Sequence, residues 1–348
     1  MIEVYSLEQS DKWDSIVRSF EKYDVYWLSG YAKAFQIHGD GEPLLFYYYD
    51  NDVRGINVVM KRDIADDPHF IGKIETNTFY DFSTPYGYGG WIIEGENVEG
   101  LFSEYHKWLK ENKIVSEFVR FHPMIKNHLK CVDAYDVIQL GEVVHMDLSS
   151  SDIIMSGIAG RKRTQIRKAL RNGIKVFNGR STEIFEYFKT VYDKTMEYDN
   201  ADNYYFFENP FYDSICSDLP MNAQVFYVEA EDTVVAAAIA LCCNGYMNYH
   251  LGGSLREYSS LTPMTVLFHH MALWGYENGY RTLYLGGGVG SGEDSLFHFK
   301  RAFYRGDLNH FYIGKMIYDL DKYEELMQVR EEDNKEVRNN EYFPQYRG

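Results

Sequence analysis

The stretch WGYENGYRTLYLGG, from Trp274 to Gly287, places the end of a helix, a short turn and a strand in direct succession. An earlier stretch, WLKENKIVSEFVRF from Trp108, has the same order and shares the pattern W-x-x-E-N. The two tryptophans are 166 residues apart, close to half of the 348-residue chain. This spacing predicts two tandem copies of one structural unit.

The segments around the second copy follow a definite order. STEIFEYFKTVYDKTMEY predicts a helix, because its apolar residues recur at helical spacing after a Ser/Thr cap. Three β-rich runs separated by turn residues follow and predict an antiparallel meander: AQVFYVEA, TVVAAAIALCC and YMNYHLGGS. A helix capped by Thr262 and Pro263, the strand RTLYLG, the helix DSLFHFKRAFY and the strand HFYIGKMIYDL complete the unit.

The first half repeats this order more loosely. We therefore predict an α/β (α+β) protein with two tandem domains, each a mostly antiparallel mixed sheet flanked by helices. The expected boundaries are 1–150 for the first domain and 151–320 for the second. A charged helical tail is expected over 321–348.

Composition and charge restrict the possible partners. The formal net charge is −17, which opposes nonspecific binding to DNA or to an anionic membrane unless basic residues are gathered in one place. The N-terminal segment has neither a basic region nor an apolar region of the kind found in signal peptides, and no apolar run is long enough to span a membrane. We expect a cytoplasmic protein without a transmembrane segment.

Metal and nucleophile motifs are not found in the sequence. The four cysteines have neither a zinc spacing nor that of a disulfide framework, and neither H-E-x-x-H nor G-x-S-x-G occurs. We expect no metal site. The glycine-rich stretch GGGVGSGED has the glycine spacing of a phosphate-binding Walker loop, but Glu293 and Asp294 stand where Lys and Ser/Thr are needed. This loop is therefore not predicted to bind a nucleotide phosphate.

Helix, three-stranded meander, helix, strand, helix, strand is the order of the GNAT acyltransferase fold, and two such units in one chain resemble the Fem family of aminoacyltransferases (FemABX). Four stretches are similar to signatures of that family and occur in the expected sequence: DFSTPYGYGGW, SEFVRFHPM, YDKTMEYDNADNYYFF and LYLGGG…FHFKRAFY. The resemblance implies transfer of an amino acid from its tRNA to an amine of a peptidoglycan or other cell-envelope precursor. The implied partners are aminoacyl-tRNA and a nucleotide-linked or lipid-linked precursor, with no bound cofactor.

The resemblance also implies a catalytic pair, which Phe299 and Lys300 match. Attack of an amine on an ester builds an oxyanion, and a fixed cation beside it supplies a large catalytic effect, for which Lys300 is the candidate. Leu296, Phe299 and Phe303 have the spacing of an inner helix face, which places Lys300 beside that face. A surface lysine and a core phenylalanine remain the alternatives.

The loop before this helix contributes four further candidates for substrate binding. Gly287 and Gly288 would allow the chain and the acceptor to approach closely. Glu293 or Asp294 could act as a base or bind the ammonium of the acceptor, and capping of the helix explains both acids equally well.

A basic helix stands out against the acidic total. From Arg161 to Thr182 the sequence has eight basic residues and no acidic one. Arg163, Arg167 and Arg171 recur every four residues beside an apolar stripe of Ile166 and Leu170, which predicts a face for phosphates of tRNA or of a nucleotide-linked acceptor. A merely solvated face is the alternative.

The resemblance adds two residues toward the acceptor. Lys33 lies where related proteins hold the nucleotide-linked precursor. Tyr198 stands where family members often have arginine, which puts the usual diphosphate clamp in doubt.

Two other functions stay open. One is an acetyl-CoA-dependent GNAT N-acetyltransferase that modifies an amino sugar or nucleotide sugar for surface polysaccharide. Against it, the segment REYSSL, Arg256 to Leu261, lacks the small residues with which GNAT proteins grip the pyrophosphate of CoA. The other is a binding module without catalytic activity.

Overall fold

The computed structural model describes residues 1–332 and 342–348. The chain divides into two compact units, one of residues 1–140 with 311–348 and one of residues 141–310. In chain order the helices and strands are β1 (Ile2–Tyr5), α1 (Ser10–Arg18), α2 (Ser29–His38), β2 (Glu42–Tyr49), β3 (Arg54–Asp63), β4 (Tyr80–Ser83), β5 (Ile92–Glu94), α3 (Glu99–Glu111), β6 (Ile114–Arg120), β7 (Asp136–Asp147), α4 (Ser151–Gly157), α5 (Gly160–Arg171), β8 (Lys175–Gly179), α6 (Thr182–Asp199), α7 (Asn209–Asp218), β9 (Ala223–Ala230), β10 (Thr233–Cys243), β11 (Tyr246–Ser254), α8 (Pro263–Glu277), β12 (Thr282–Gly286), α9 (Ser295–Arg301), β13 (Asn309–Ile317) and α10 (Leu320–Glu332).

Each unit contains a mostly antiparallel mixed sheet, as predicted. In the first unit the strand order is β1-β2-β3-β4-β6-β13, with β5 also paired to β3, and only the β4–β6 pairing is parallel among these described pairings. In the second unit the order is β7-β12-β11-β10-β9-β8, where β11 and β12 are parallel. The predicted α/β fold of two tandem units is confirmed.

The repeated W-x-x-E-N pattern forms the same helix end in both units. Helix α3 ends at Asn112, whose side-chain Nδ2 donates to the carbonyl oxygen of Trp108 at 2.9 Å. Helix α8 ends at Asn278, whose Nδ2 donates to the carbonyl of Trp274 at 2.8 Å. Each bond adds a second donor to the tryptophan carbonyl, which also accepts the backbone N–H of the same asparagine at 3.0 Å. A strand with a parallel neighbour follows in both units, β6 in the first and β12 in the second.

The last strand does not belong to the unit in which its sequence position would place it. Most of β13 lies in the first unit, where Ile313 to Ile317 pair antiparallel with Arg120 to Ser116 of β6. In the second unit the end of β7 pairs antiparallel with β12. Unit boundaries at 140 and 310 therefore differ from the predicted 150 and 320, because strand pairing and not chain order assigns these two strands.

The described part of the predicted tail is anchored in the first unit. Tyr323 and Leu326 of α10 are buried in one apolar cluster with Tyr346. The carboxylate of the fully buried Asp81 accepts from Arg347 Nε at 2.6 Å and from the Tyr346 hydroxyl at 2.8 Å. Burial alone would raise the pKa of Asp81, but the nearby arginines hold it below its ordinary value. The segment 342–348 is therefore part of the fold, and residues 333–341 of the predicted tail lie outside the described residues.

Candidate active site

The site lies in the second unit, where the pairing of two parallel strands ends. The ladder between β11 and β12 covers three residue pairs and stops at Asn248 and Tyr284. A bulge between Tyr284 and Gly286 then carries β12 into the glycine-rich loop. Gly286 has a φ of +80°, a backbone conformation that residues with a side chain rarely adopt. This glycine turns the chain toward the start of α9.

The loop closes on the residue that caps α9. Asp294 Oδ1 accepts from the backbone N–H of Phe297 at 2.8 Å, and its Oδ2 accepts from Val289 N–H at 3.3 Å. These backbone hydrogen bonds lower the pKa of Asp294. A Cβ on Gly288 would lie 2.3 Å from Asp294 Oδ1 and 2.2 Å from the Gly292 carbonyl oxygen, so no side chain fits there. In this structure the glycines let the loop fold onto its own cap.

Lys300 occupies the buried face of α9. Its side chain is 7% exposed, and Nζ donates to the carbonyl oxygen of Gly287 at 2.7 Å. Burial lowers the pKa of Lys300 to about 8, against a smaller opposing effect of the Asp294 carboxylate. The alternative of a surface lysine is thereby contradicted.

The inner face of α9 differs from the predicted one. Leu296 is 38% exposed, whereas Phe297 is buried with Lys300 on this helix and Phe303 is buried just after it. The prediction from apolar spacing was wrong at Leu296, because Lys300 turns inward to reach the loop carbonyl. Phe299 is half-buried and packs against the core, beside Phe268 and Phe303 at ring-centroid distances of 5.6 and 5.5 Å.

Aromatic rings separate two lysines in this unit. Lys300 Nζ lies 5.8 Å from the ring centroid of Tyr249, and that ring contacts Phe268 edge-on at 4.9 Å. On Phe299 lies a second ammonium group, Lys162 Nζ, 4.0 Å from the ring centroid. Lys162 is not among the site residues predicted from the sequence. Its spacing to the buried Ile166 and Ala169, four and seven residues on, is the signal that places it on the inner side of α5.

The two acids before α9 take different positions. Asp294 serves as the helix cap, one of the three roles considered for it. Glu293 is exposed. Contact of Glu293 or Asp294 with a substrate stays a prediction.

The basic face predicted on α5 is largely exposed. Arg167 and Arg171 are exposed, while Arg163 is half-buried and donates from Nη1 to the carbonyl of Met155 at 3.3 Å. The predicted apolar stripe was wrong at Leu170, which is 48% exposed. Ala169 is buried in its place next to Ile166, because a small residue allows α5 to pack closely on α8.

The guanidinium of Arg256 lies over the ring of Tyr198. The tyrosine side chain is 46% exposed at the end of α6, and the guanidinium carbon of Arg256 lies 5.1 Å from the ring centroid. Arg256 Nη2 also donates to the Tyr198 carbonyl at 3.2 Å and to Asp199 at 2.8 Å. The chain thus has tyrosine at the family's arginine position and an arginine directly against it.

Lys33 belongs to the first unit. It is exposed on α2 between the buried Ala32 and Ala34. The structure thus presents its ammonium group on the outer face of that helix. Its proposed contact with a precursor stays a prediction.

A family model confirms the acyltransferase domain. Residues 160–301 match the model described as acetyltransferase (GNAT) domain, a range that contains α5, α8, the glycine-rich loop and Lys300. The predicted class of enzyme, an acyltransferase, is confirmed.

Solved structures support the Fem-like GNAT fold over most of the chain. The crystal structure of FemX aligns with a TM-score of 0.68 at 14% identity and covers 92% of this chain and 99% of that one. A conserved protein of unknown function from Bacteroides thetaiotaomicron aligns with a TM-score of 0.59 at 10% identity, covering 91% and 100%. The C-terminal domain of a putative lysylphosphatidylglycerol synthetase from Agrobacterium fabrum aligns with a TM-score of 0.55 at 15% identity, covering 89% and 91%. The predicted Fem-like fold is confirmed.

Curated protein sequences contain no significant match to the chain. Within residues 1–332 and 342–348, every helix is too short or too polar to cross a lipid bilayer.

Proposed function

We propose that this acyltransferase moves an aminoacyl group from aminoacyl-tRNA to an amine of a peptidoglycan or other cell-envelope precursor, in the manner of the Fem family. The acceptor nitrogen forms an amide with the acyl carbon, and the ester bond to the terminal ribose breaks. The proton that the amine loses goes to the released ribose hydroxyl. The position of Lys300 in the GNAT domain is the observation that carries the proposal.

Lys300 supplies the positive charge that this reaction needs. With a pKa of about 8 the group is mostly protonated at pH 7, and its bond to the Gly287 carbonyl fixes the ammonium in place. A fixed cation in a site from which water is largely excluded stabilises the oxyanion that forms as the amine attacks. The ring beside this ammonium is that of Tyr249, and Phe299 packs behind it through Phe268.

The segment before α8 favours tRNA over CoA as the donor. Residues Arg256–Leu261 form a short 3-10 helix, and the backbone N–H groups of Tyr258 and Thr262 donate to carbonyls within the turn. Leu261 packs against the apolar core. A CoA site needs free N–H groups close to a pyrophosphate at the helix start, and this segment is folded on itself instead.

The exposed basic residues of α5 suit the phosphates of tRNA, because they are the part of this acidic chain in which positive charge is gathered. Charged tRNA and nucleotide-linked or lipid-linked precursors on the inner leaflet are cytoplasmic substrates. We therefore place the reaction in the cytoplasm, without a bound cofactor. Lys33 and the Tyr198–Arg256 pair are candidate contacts for the precursor.

The experiment offers purified protein a pool of radiolabelled aminoacyl-tRNAs and, separately, acetyl-CoA, each with a mixture of envelope precursors that contain free amines. Transfer of label from tRNA to a precursor, lost in Lys300→Ala, supports the proposal. Calorimetry with acetyl-CoA should detect no binding tighter than about millimolar, roughly 4 kcal/mol. A micromolar dissociation constant together with acetyl transfer would replace the tRNA donor by acetyl-CoA and make the chain an N-acetyltransferase.

A further inference from the structure

Lys162 lies against the ring of Phe299, the aromatic member of the predicted catalytic pair. It is half-buried at the start of α5, and Nζ donates to the Thr265 hydroxyl of α8 at 3.3 Å. The same ammonium lies 4.0 Å from the Phe299 centroid and 5.7 Å from that of Phe303. Three elements that meet in the second unit, α5, α8 and α9, thus hold this one cation.

The positive charge of Lys162 has no carboxylate partner within 4.0 Å among residues 1–332 and 342–348. Its neighbours Arg161 and Arg163 are also basic, and α5 contains no acidic residue. Burial, and to a smaller extent Arg161, lower the pKa of Lys162 to about 8. By contrast, Lys189 on α6 is neutralised by Asp193 at 2.6 Å. An aromatic face and one hydroxyl compensate only part of the cost of holding an ammonium away from water.

An anion would complete this arrangement. An ammonium group has three donors, and the described contacts of Lys162 use one of them. A phosphate oxygen accepts such a bond with the help of its charge, which makes the interaction about twice as strong as one between neutral groups.

We propose that Lys162 binds a phosphate of the acyl donor immediately beside the acyl group. The inference rests on the proposed function for the existence of that donor. Ring contacts connect the two sites, because Phe299 contacts both the Lys162 ammonium and Phe268. Phe268 in turn contacts Tyr249, whose ring centroid lies 5.8 Å from Lys300 Nζ.

The surroundings favour the 3′ end of a tRNA as the source of the phosphate. Lys162 directly precedes Arg163 at the start of α5, and its inner side adjoins the face that carries the three arginines. A chain of phosphates lying along that face would therefore reach Lys162 at the N-terminal end of the helix. The pyrophosphate of CoA offers the same chemistry from a second source, and the experiment separates the two.

The test measures binding of two tRNAs to four proteins. One tRNA is complete, and the other lacks its 3′-terminal nucleotide and therefore the phosphate next to the acyl group. The proteins are wild type, Lys162→Gln and Lys162→Arg, with Lys194→Gln, an exposed lysine of the same unit, as control. Melting temperatures verify that each variant is folded.

We expect Lys162→Gln to weaken binding of complete tRNA by about tenfold, the lower end for a lost charged hydrogen bond, and to leave binding of truncated tRNA unchanged. Lys162→Arg should retain most of the affinity, and Lys194→Gln all of it. If Lys162→Gln weakens binding of both tRNAs equally, or of neither, the assignment of Lys162 is overturned. The proposal that tRNA is the donor is not affected by that result. If wild type binds neither tRNA, the tRNA donor fails and the assignment to tRNA fails with it. Binding of acetyl-CoA that Lys162→Gln weakens would then assign Lys162 to a CoA phosphate.

Discussion

Lys300 donates a hydrogen bond of 2.7 Å to the carbonyl oxygen of Gly287, thirteen residues earlier in the chain. The bond ties the inner face of α9 to the glycine-rich loop that follows β12. The bond explains why Lys300 is buried, although the apolar spacing of α9 predicts that Leu296, Phe299 and Phe303 form the inner face. It also holds the ammonium beside the loop that begins where the β11–β12 ladder has ended.

Replacing Lys300 should abolish turnover without unfolding the protein. Loss of one preorganised group that stabilises an oxyanion reduces kcat by about a hundredfold to a thousandfold, equivalent to roughly 3 to 4 kcal/mol. Lys300→Ala should therefore retain a cooperative melting transition and be nearly inactive in the transfer assay. The exposed Lys194→Ala serves as the control and should keep wild-type activity. A variant of Lys300 with turnover within a few fold of wild type would rule out this role.

Stability should depend on pH through the same lysine. The native pKa is about 8 and the ordinary value is 10.5, so between these pH values the unfolded chain binds more protons than the native protein. Wild-type stability therefore rises with pH in this window, and below pH 8 the full cost of the buried charge is present. Lys300→Met has no ammonium at this position, so its stability should not show this rise with pH.

Urea denaturation of wild type and Lys300→Met at several pH values measures the difference in free energy of unfolding. From pH 7 to pH 10.5 the free energy of unfolding of wild type should increase by up to about 3 kcal/mol relative to that of Lys300→Met. Effects of tyrosine titration are common to both proteins and cancel. A difference that does not change with pH would mean that Lys300 titrates as an ordinary exposed lysine.

Sequence patterns predicted the fold well where a local signal decides the structure. The meander, the Pro263 helix start and the two W-x-x-E-N helix ends depend on turn residues and caps, and all occur in the structure. Placement of β13 could not be predicted in this way. Its own sequence specifies a strand, but pairing with β6, some two hundred residues earlier, decides the unit to which it belongs.

The candidate site was predictable only in part. Family resemblance selected Lys300, and the charge pattern of α5 selected its arginines. Burial of Lys300 and the position of Lys162 on Phe299 depend on how α5, α8 and α9 pack, which no periodicity within one helix encodes. For the same reason the sequence indicated the missing arginine at Tyr198 but not the contact with Arg256.

The arginines of α5 should differ in what their removal changes. Arg167 and Arg171 are exposed, so each lost phosphate contact should reduce the slope of log affinity against log salt by nearly one for a duplex and somewhat less for a single strand. The side-chain bonds of Arg167 and Arg171 stay within α5, whereas the half-buried Arg163 bonds the carbonyl of Met155 on α4. Arg163→Ala should therefore also lower the melting temperature. Binding of tRNA between 50 and 200 mM salt, with melting curves for each variant, checks both statements. An unchanged slope in the Arg167→Ala, Arg171→Ala double variant would mean that this face is only solvated.

The two asparagines that end α3 and α8 should contribute equally to stability if the two units repeat one design. Asn112 and Asn278 each donate a side-chain hydrogen bond to the tryptophan carbonyl four residues earlier, at 2.9 and 2.8 Å. A hydrogen bond of this kind contributes about 1 kcal/mol, so Asn112→Ala and Asn278→Ala should each lower the free energy of unfolding by about that amount. Because the two bonds share no partner, the free energy of unfolding of the double variant should fall by the sum of the two losses.

Lys110→Ala, two residues before Asn112 on the exposed side of α3, is the control and should change stability by less than about 0.5 kcal/mol. A loss in one asparagine variant with none in the other would show that the shared motif stabilises only one of the two units.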